Sequence, residues 1–194
     1  MQIHEEGTTM SEVTAIIASP RKNGNCQAIV GKMVEVLEAK GKKVNIFNVN
    51  EIDAKGCQSC YACKKAGHCV RKDGLTPVLD SMKESESIIL ATPDYFGQPC
   101  AQYRIAEDRF YGFVGMDANG QFISNLPAGK KVAVVVTSGS GAGAENIIKG
   151  ISGVMSGFLK CDVVGSIDYR EGPNGPAKDN ASALKEAEAL AEKL

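Results

Sequence analysis

The run Lys131-Val-Ala-Val-Val-Val-Thr137 constrains the fold more than any other stretch of this chain. Its five central residues are all apolar and mostly β-branched, so a strand built from them has no polar face and must be covered on both sides. Strands of that kind belong to parallel sheets packed between helices. Similar runs predict strands at residues 13–18, 44–49, 87–91 and 162–167. Between them lie helical patterns at about 27–40, 75–83, 99–113, 144–157 and 177–194. In the first, Ile29, Val30, Met33, Val36 and Leu37 recur at helical spacing, and Gly41 stops the helix. Five strands alternating with helices predict an α/β, doubly wound parallel sheet. Residues 115–130 read as an irregular excursion and 1–11 as a flexible leader, leaving 12–194 as a single domain.

In such sheets ligands bind beyond the carboxyl ends of the strands, near the switch in strand order. Three loops of this chain are expected there: residues 19–26, 92–98 and 138–143. The first lacks both GxGxxG and GxxxxGK[ST], so it is neither a dinucleotide fingerprint nor a triphosphate loop. It is a turn rich in amides and small polar groups at a helix N-terminus, which suits a monophosphate. Ser19, Asn23 and Asn25 offer side-chain donors and Arg21 a charge. The alternative is an ordinary strand-to-helix turn. The second loop brings Tyr95 and Phe96 to the sheet edge, either to hold a flat ring or to pack under the next helix. The third, rich in glycine, either lets backbone approach a ligand closely or is simply flexible.

A second feature sits between these loops. Cys57, Cys60, Cys63 and Cys69 form CxxCxxCx5C, a compact spacing that reads as an iron–sulfur site. Structural zinc sites usually pair two knuckles across a longer insert, whereas here one run supplies all four thiols. Two-cluster ferredoxins follow their fourth cysteine with proline, and here Val70 follows Cys69. One [4Fe-4S] cluster is therefore the expected occupant, with Lys64, Lys65, Arg71 and Lys72 near enough to offset its charge. The alternative is a surface loop of free thiols or a labile disulfide. Seven cysteines, an odd number, and no signal peptide argue for a reducing, cytoplasmic setting. A net charge of −1 without a basic block argues against nucleic acid as a partner. No apolar stretch approaches the roughly 18 residues of a membrane span.

Taken together these residues resemble a known family. Ala18-Ser-Pro-Arg-Lys-Asn-Gly-Asn25 resembles the phosphate loop of the flavodoxin-like NAD(P)H-dependent FMN reductases. Thr92-Pro-Asp-Tyr-Phe-Gly97, followed by Ala101-Gln102 and Asp108-Arg109, resembles their isoalloxazine loop and next helix, and the cysteine run, within a loop at 54–73, is similar to that of the iron–sulfur flavoproteins among them. The resemblance spans about residues 13–167. It implies a flavodoxin-like three-layer sandwich with a five-stranded parallel sheet, bound FMN with a cluster near it, and a homodimer or homotetramer with the flavin at a subunit interface. It places phosphate contacts on Ser19, Arg21, Asn23, Asn25 and Cys26, ring contacts on Pro93, Asp94, Tyr95, Phe96 and Gly97, and third-loop contacts at Ser138, Gly139 and Gly141. Three departures stand out: Ala18 replaces a common glycine, Cys26 a common serine or threonine, and Asp94 a usually apolar residue. A carboxylate at position 94 is expected to lower a flavin's potential.

The function this implies is electron transfer by an FMN-dependent oxidoreductase: a ferredoxin-type donor, the cluster, FMN, then an acceptor. The alternative is an NAD(P)H-dependent FMN or quinone reductase without a cluster, and a redox sensor is a third reading. No side chain is assigned an acid or base role. His68 reads as a solvated loop residue, and Cys100 and Cys161 as structural.

Overall fold

A computed structural model describes residues 13–140 and 143–194. The expected leader and Gly141 lie outside the described residues. The chain runs β1 (Val13–Ile17), α1 (Asn25–Ala39), β2 (Val44–Asn48), a short α2 (Cys63–Ala66), α3 (Thr76–Glu84), β3 (Ser87–Tyr95), β4 (Gln98–Pro99) and α4 (Ala101–Phe110). Then come β5 (Val114–Met116), β6 (Phe122–Ser124), β7 (Lys131–Ser138), α5 (Ala144–Gly153), β8 (Asp162–Arg170), α6 (Glu171–Asn174) and α7 (Ala181–Ala191).

The sheet order β2-β1-β3-β7-β8 is parallel throughout, so the order reverses direction between β1 and β3. Side chains alternate across each strand, and both sets are buried. Ile88 and Leu90 of β3, with Val132, Val134 and Val136 of β7, face α3, α4 and α5. Ile89 and Ala91, with Ala133 and Val135, face α1 and α7. The mostly apolar run at 131–137 thus fills two cores at once, and the expected three-layer α/β architecture is present.

Register decides what reaches the carboxyl edge. Val13 pairs with Ser87, and Ile17 with Ala91, so β1 ends where β3 still has four residues to run. Pro93 pairs with Thr137, and Ser138 with Arg170. The ends of β3, β7 and β8 therefore project past β1 toward the loop at 19–24.

Several boundaries differ from the sequence expectation. The segment at 92–98 is not a free loop, because β3 continues to Tyr95 and folds back through a two-residue turn into β4. Phe96 (φ 58°) and Gly97 (φ 74°) are both left-handed, the geometry of the hairpin turn that matches strand twist. Residues 115–130 contain the β5–β6 hairpin, with Val114 opposite Ser124. The fifth parallel strand runs to Arg170, three residues beyond the expected end. The final helix starts at Ala181, where the Asn180 side chain accepts the Ala183 N–H at 3.0 Å. No helix among the described residues is long and apolar enough to cross a membrane.

Leu90 is fully buried in the central strand β3. Leu90→Ala is expected to cost about 2–5 kcal/mol by cavity formation, read as a lower urea midpoint with an unchanged slope.

Candidate functional site

The carboxyl edge carries a cleft of about 120 Å³ between the 19–25 turn, the end of β3, the β7 end and Glu171. The turn is tight because Gly24 N–H bonds Arg21 O at 3.1 Å, and a Cβ on Gly24 would come within 2.9 Å of Arg21 Cβ. Gly24 precedes α1 and no side chain caps the helix. The first-turn N–H groups thus lack a side-chain acceptor at the positive end of the helix dipole. Arg21 stands at the rim. Across the cleft, Ser138 Oγ is buried and, among the described residues, is the one buried side-chain oxygen without a hydrogen-bond partner. An orphaned hydroxyl of this kind calls for a ligand or an ordered water.

Of the residues expected at this edge, Ser19, Arg21, Asn25, Pro93, Asp94, Tyr95, Ser138 and Gly139 line the cleft. Asn25 is already engaged at both ends: Oδ1 accepts the Ala177 N–H at 2.9 Å, and Nδ2 donates to Glu171 at 3.2 Å. Asn23 is exposed in the turn and Cys26 points the other way, into the core, with Sγ 3.2 Å from Thr137 Oγ1. Burial pushes the Cys26 thiol up to about 12, against the lowering effect of the Thr137 bond, so it stays protonated. What Cys26 can offer a ligand is its backbone N–H. Phe96 is fully exposed at the hairpin tip rather than packed under α4. Asp94 turns inward, its Oδ1 accepting the Gly97 N–H at 2.7 Å, and Gly143 packs where a Cβ would meet Gly97 Cα at 2.5 Å. The carboxylate thus braces the hairpin turn, and Gly143 of the third loop packs closely against it.

Thr137 and Glu171 also line the cleft and were not expected there. Glu171 Oε2 lies 3.7 Å from Arg21 Nη1 as well as bonding Asn25. Glu171 thus sets a carboxylate beside a turn that the sequence pattern read as amides, small polar groups and Arg21 alone. Its signal was the carboxyl end of the last strand, which the sequence pattern placed three residues too early.

The cysteine loop forms a second site. Cys57, Cys60, Cys63 and Cys69 all line one cavity of about 190 Å³, together with Arg109, Tyr111 and Gly112. Cys57 and Cys60 are exposed, Cys69 is half-buried and Cys63 is buried at the start of α2. Ser59 (φ 51°) and Tyr61 (φ 57°) take left-handed backbone, uncommon for such side chains, on either side of Cys60. Gly67 (φ 72°) closes α2 in the same conformation. Gly112 is required by proximity, since a Cβ there would lie 2.6 Å from Cys69 N. Among the described residues no three His, Cys, Asp or Glu side chains gather closely enough for a single metal ion.

The cation that touches a cysteine is not one of the four expected. Lys64 Nζ donates to Val114 O at 2.6 Å and sits 3.4 Å from the Tyr111 ring centroid, and Arg71 pairs with Asp73 at 2.9 Å. Arg109, only 1% exposed, donates from Nε to Cys69 Sγ at 3.0 Å. Its remaining donors reach Lys55 O at 2.9 Å, Asp73 Oδ2 at 2.7 Å and Arg71 O at 3.3 Å. One guanidinium on α4 therefore holds both flanks of the cysteine loop. Burial would raise the Asp73 carboxyl, but bonds from Arg109, the Leu75 N–H and Arg71 outweigh it and hold it below its ordinary value. His68 is exposed, with its ring against Ala66 O at 2.9 Å. Cys100 and Cys161 are buried, and burial pushes the Cys161 thiol up to about 11.

A groove of about 580 Å³ runs beside the cysteine loop along α4, past Arg104 and the buried Glu107, and a smaller one of about 260 Å³ shares those two residues and reaches Gly97 and Pro99. Burial raises the Glu107 carboxyl, opposed by Arg104 and the Tyr103 hydroxyl. The hairpin borders the smaller groove and the cysteine loop the larger one, with Arg104 and Glu107 lining both.

A family profile described as NADPH-dependent FMN reductase matches residues 11–169. The chain is 32% identical over 98 residues to an iron-sulfur flavoprotein of Methanosarcina thermophila, a match covering 50% of this chain and 51% of that protein, so the chain spans about half of that relative's length. An iron-sulfur flavoprotein of Archaeoglobus fulgidus is 24% identical over 180 residues, covering 91% of this chain and 88% of its own. In fold, the chain is similar to an azoreductase from Bacillus anthracis, with a TM-score of 0.68 at 17% identity over 95% of this chain and 100% of the other.

Because Asp73 is held below its ordinary value of 3.8, the stability it contributes is present above that pH and is lost as pH falls through the lowered value. Urea unfolding at pH 7 and pH 3 is expected to show a smaller acid loss in Asp73→Asn than in the natural protein.

Proposed function

The chain belongs to the NADPH-dependent FMN reductase family, and from that premise we propose that it is an FMN-dependent oxidoreductase of the iron–sulfur flavoprotein type. In this reading the cysteine loop would hold a [4Fe-4S] cluster, and the activity would be electron transfer from a ferredoxin-type donor, by way of cluster and FMN, to an acceptor. The observation that carries the reading is that all four thiols line one cavity beside a buried guanidinium. Four thiolates on one zinc lie only about 3.8 Å apart, given Zn–S bonds of ~2.3 Å. A cubane spreads its ligands around a larger body, which suits thiols that ring a cavity without converging on a point.

The residues at the sheet edge fit FMN. Its phosphate would take the N–H groups of the first turn of α1, the Ser19 hydroxyl and Arg21, and so would displace the Glu171 carboxylate from Arg21 and Asn25. Ser138 Oγ supplies the unpartnered polar atom that such a ligand satisfies. The hairpin from Pro93 to Gly97, braced by Asp94, and Gly139 would border the ring. Cys57, Cys60, Cys63 and Cys69 would hold the cluster. When bound, the cluster supplies one-electron and FMN two-electron chemistry. The chain's own part is placement. Left-handed Ser59 and Tyr61 turn the backbone between successive thiols, Gly112 admits the Cys69 backbone, and Arg109 keeps that segment on α4.

The test is anaerobic purification with iron, acid-labile sulfide and FMN counted per chain, in the natural protein, Cys60→Ala and Gly112→Ala. About four iron and four sulfide per chain are expected, lost from Cys60→Ala and depleted in Gly112→Ala while FMN remains. FMN without iron or sulfide, together with brisk NAD(P)H oxidation, would overturn the cluster in favour of an NAD(P)H-dependent FMN or quinone reductase.

A further inference from the structure

Arg109 is placed in a way that a simple loop clamp does not require. A clamp needs only the three bonds to Lys55 O, Arg71 O and Asp73, all made by the two Nη groups. Those bonds leave Nε–H aimed at a fourth acceptor, and that acceptor is Cys69 Sγ at 3.0 Å. Cys57 Sγ, by contrast, is met by the backbone N–H of Ser59 at 3.4 Å. The guanidinium is 1% exposed and always charged, and with both Nη groups fixed its Nε cannot turn away from the sulfur. We propose that Arg109 is a positioning residue that raises the reduction potential of a cluster held by these cysteines, acting through its hydrogen bond to Cys69, and that Asp73 moderates the effect. The inference rests on the reading that the loop holds a cluster.

The physical argument is electrostatic. Reduction adds an electron to a centre whose sulfurs already carry negative charge, and a charged N–H donor at one sulfur stabilises the more electron-rich state. The exposed lysines around the loop are screened by solvent, whereas a buried guanidinium acts through a lower dielectric. Asp73 Oδ2, on the Nη1 side of the same guanidinium, carries the opposing charge. The pair is therefore a fixed dipole with its positive end on the cysteine. Removing the Nε–H donor and removing the Asp73 charge must shift the potential in opposite directions.

The decisive experiment is a redox titration of the anaerobically purified natural protein, Arg109→Lys and Asp73→Asn, after iron and sulfide have been counted in each. Arg109→Lys keeps the charge and loses the planar Nε–H donor. At the natural protein's midpoint, its ratio of reduced to oxidised cluster is expected to fall about tenfold, a shift of ~59 mV for one electron. Asp73→Asn keeps the shape and the acceptor for the Leu75 N–H, and its ratio is expected to rise. A purely structural role leaves both potentials at the natural value, which would overturn the inference. Should Arg109→Lys fail to hold iron, the sign of the Asp73→Asn shift decides alone: a rise supports the inference, and no change or a fall overturns it. A natural protein that holds no iron overturns the cluster reading first, and the inference with it. That outcome is read from the metal count before any potential is measured.

Discussion

A parallel ladder buried on both faces governs this molecule. Once β3 and β7 are covered by α3, α4 and α5 on one side and by α1 and α7 on the other, neither face has room for a ligand. Polar chemistry is confined to the strand ends. Because all five long strands run the same way, their carboxyl ends and the loops that follow them gather at one edge. The register then sets depth: β1 stops at Ile17 while β3, β7 and β8 run on, so Pro93, Thr137 and Ser138 line the cleft together with the turn at 19–25. The orphaned hydroxyl of Ser138 and the uncapped start of α1 are the two halves of the cleft that results.

The cysteine loop is held by a different principle. It has almost no regular structure and contributes little apolar area, so hydrophobic burial alone does not order it. Instead a fully buried guanidinium on α4 takes acceptors from both sides of the loop, and the cost of burying that charge is offset by Asp73 and three further acceptors. Removing one partner of such a pair strands the other, which makes the clamp cooperative. The left-handed Ser59 and Tyr61 persist because both flanks of the loop are pinned, the condition under which uncommon backbone geometry survives. The hairpin tip follows the same logic on a smaller scale, with Phe96 left-handed and exposed while Asp94 braces the turn from within.

Much of this was legible in the chain itself. The alternation of apolar runs with helical spacings predicted the layers and the five parallel strands, because period and burial are local properties of a segment. The edge segments were legible by type and in part by residue: the 19–25 turn, Pro93 to Tyr95, and Ser138 with Gly139 do meet at one cleft. The errors share a cause. The ends of β3 and β8 extend into segments whose composition reads as loop, because cross-strand pairing with β4 and β7 overrides local preference there. That is why Glu171 went unseen and why the residues at 92–98 proved to be a hairpin. The orientation of Cys26 was likewise invisible, since a one-residue difference at a helix start decides between cleft and core.

By itself, then, the sequence determined the layer order, the carboxyl edge as the place for chemistry and the grouping of four thiols in one short loop, all of which depend on residues near one another in the chain. Tertiary structure alone decided which distant charged groups join those sites and what they bond there. Arg109 is forty residues beyond Cys69, and Glu171 is 146 beyond Asn25. Neither pairing leaves a trace in spacing or periodicity, because such partners are selected by the packing of elements that meet only when the sheet has closed.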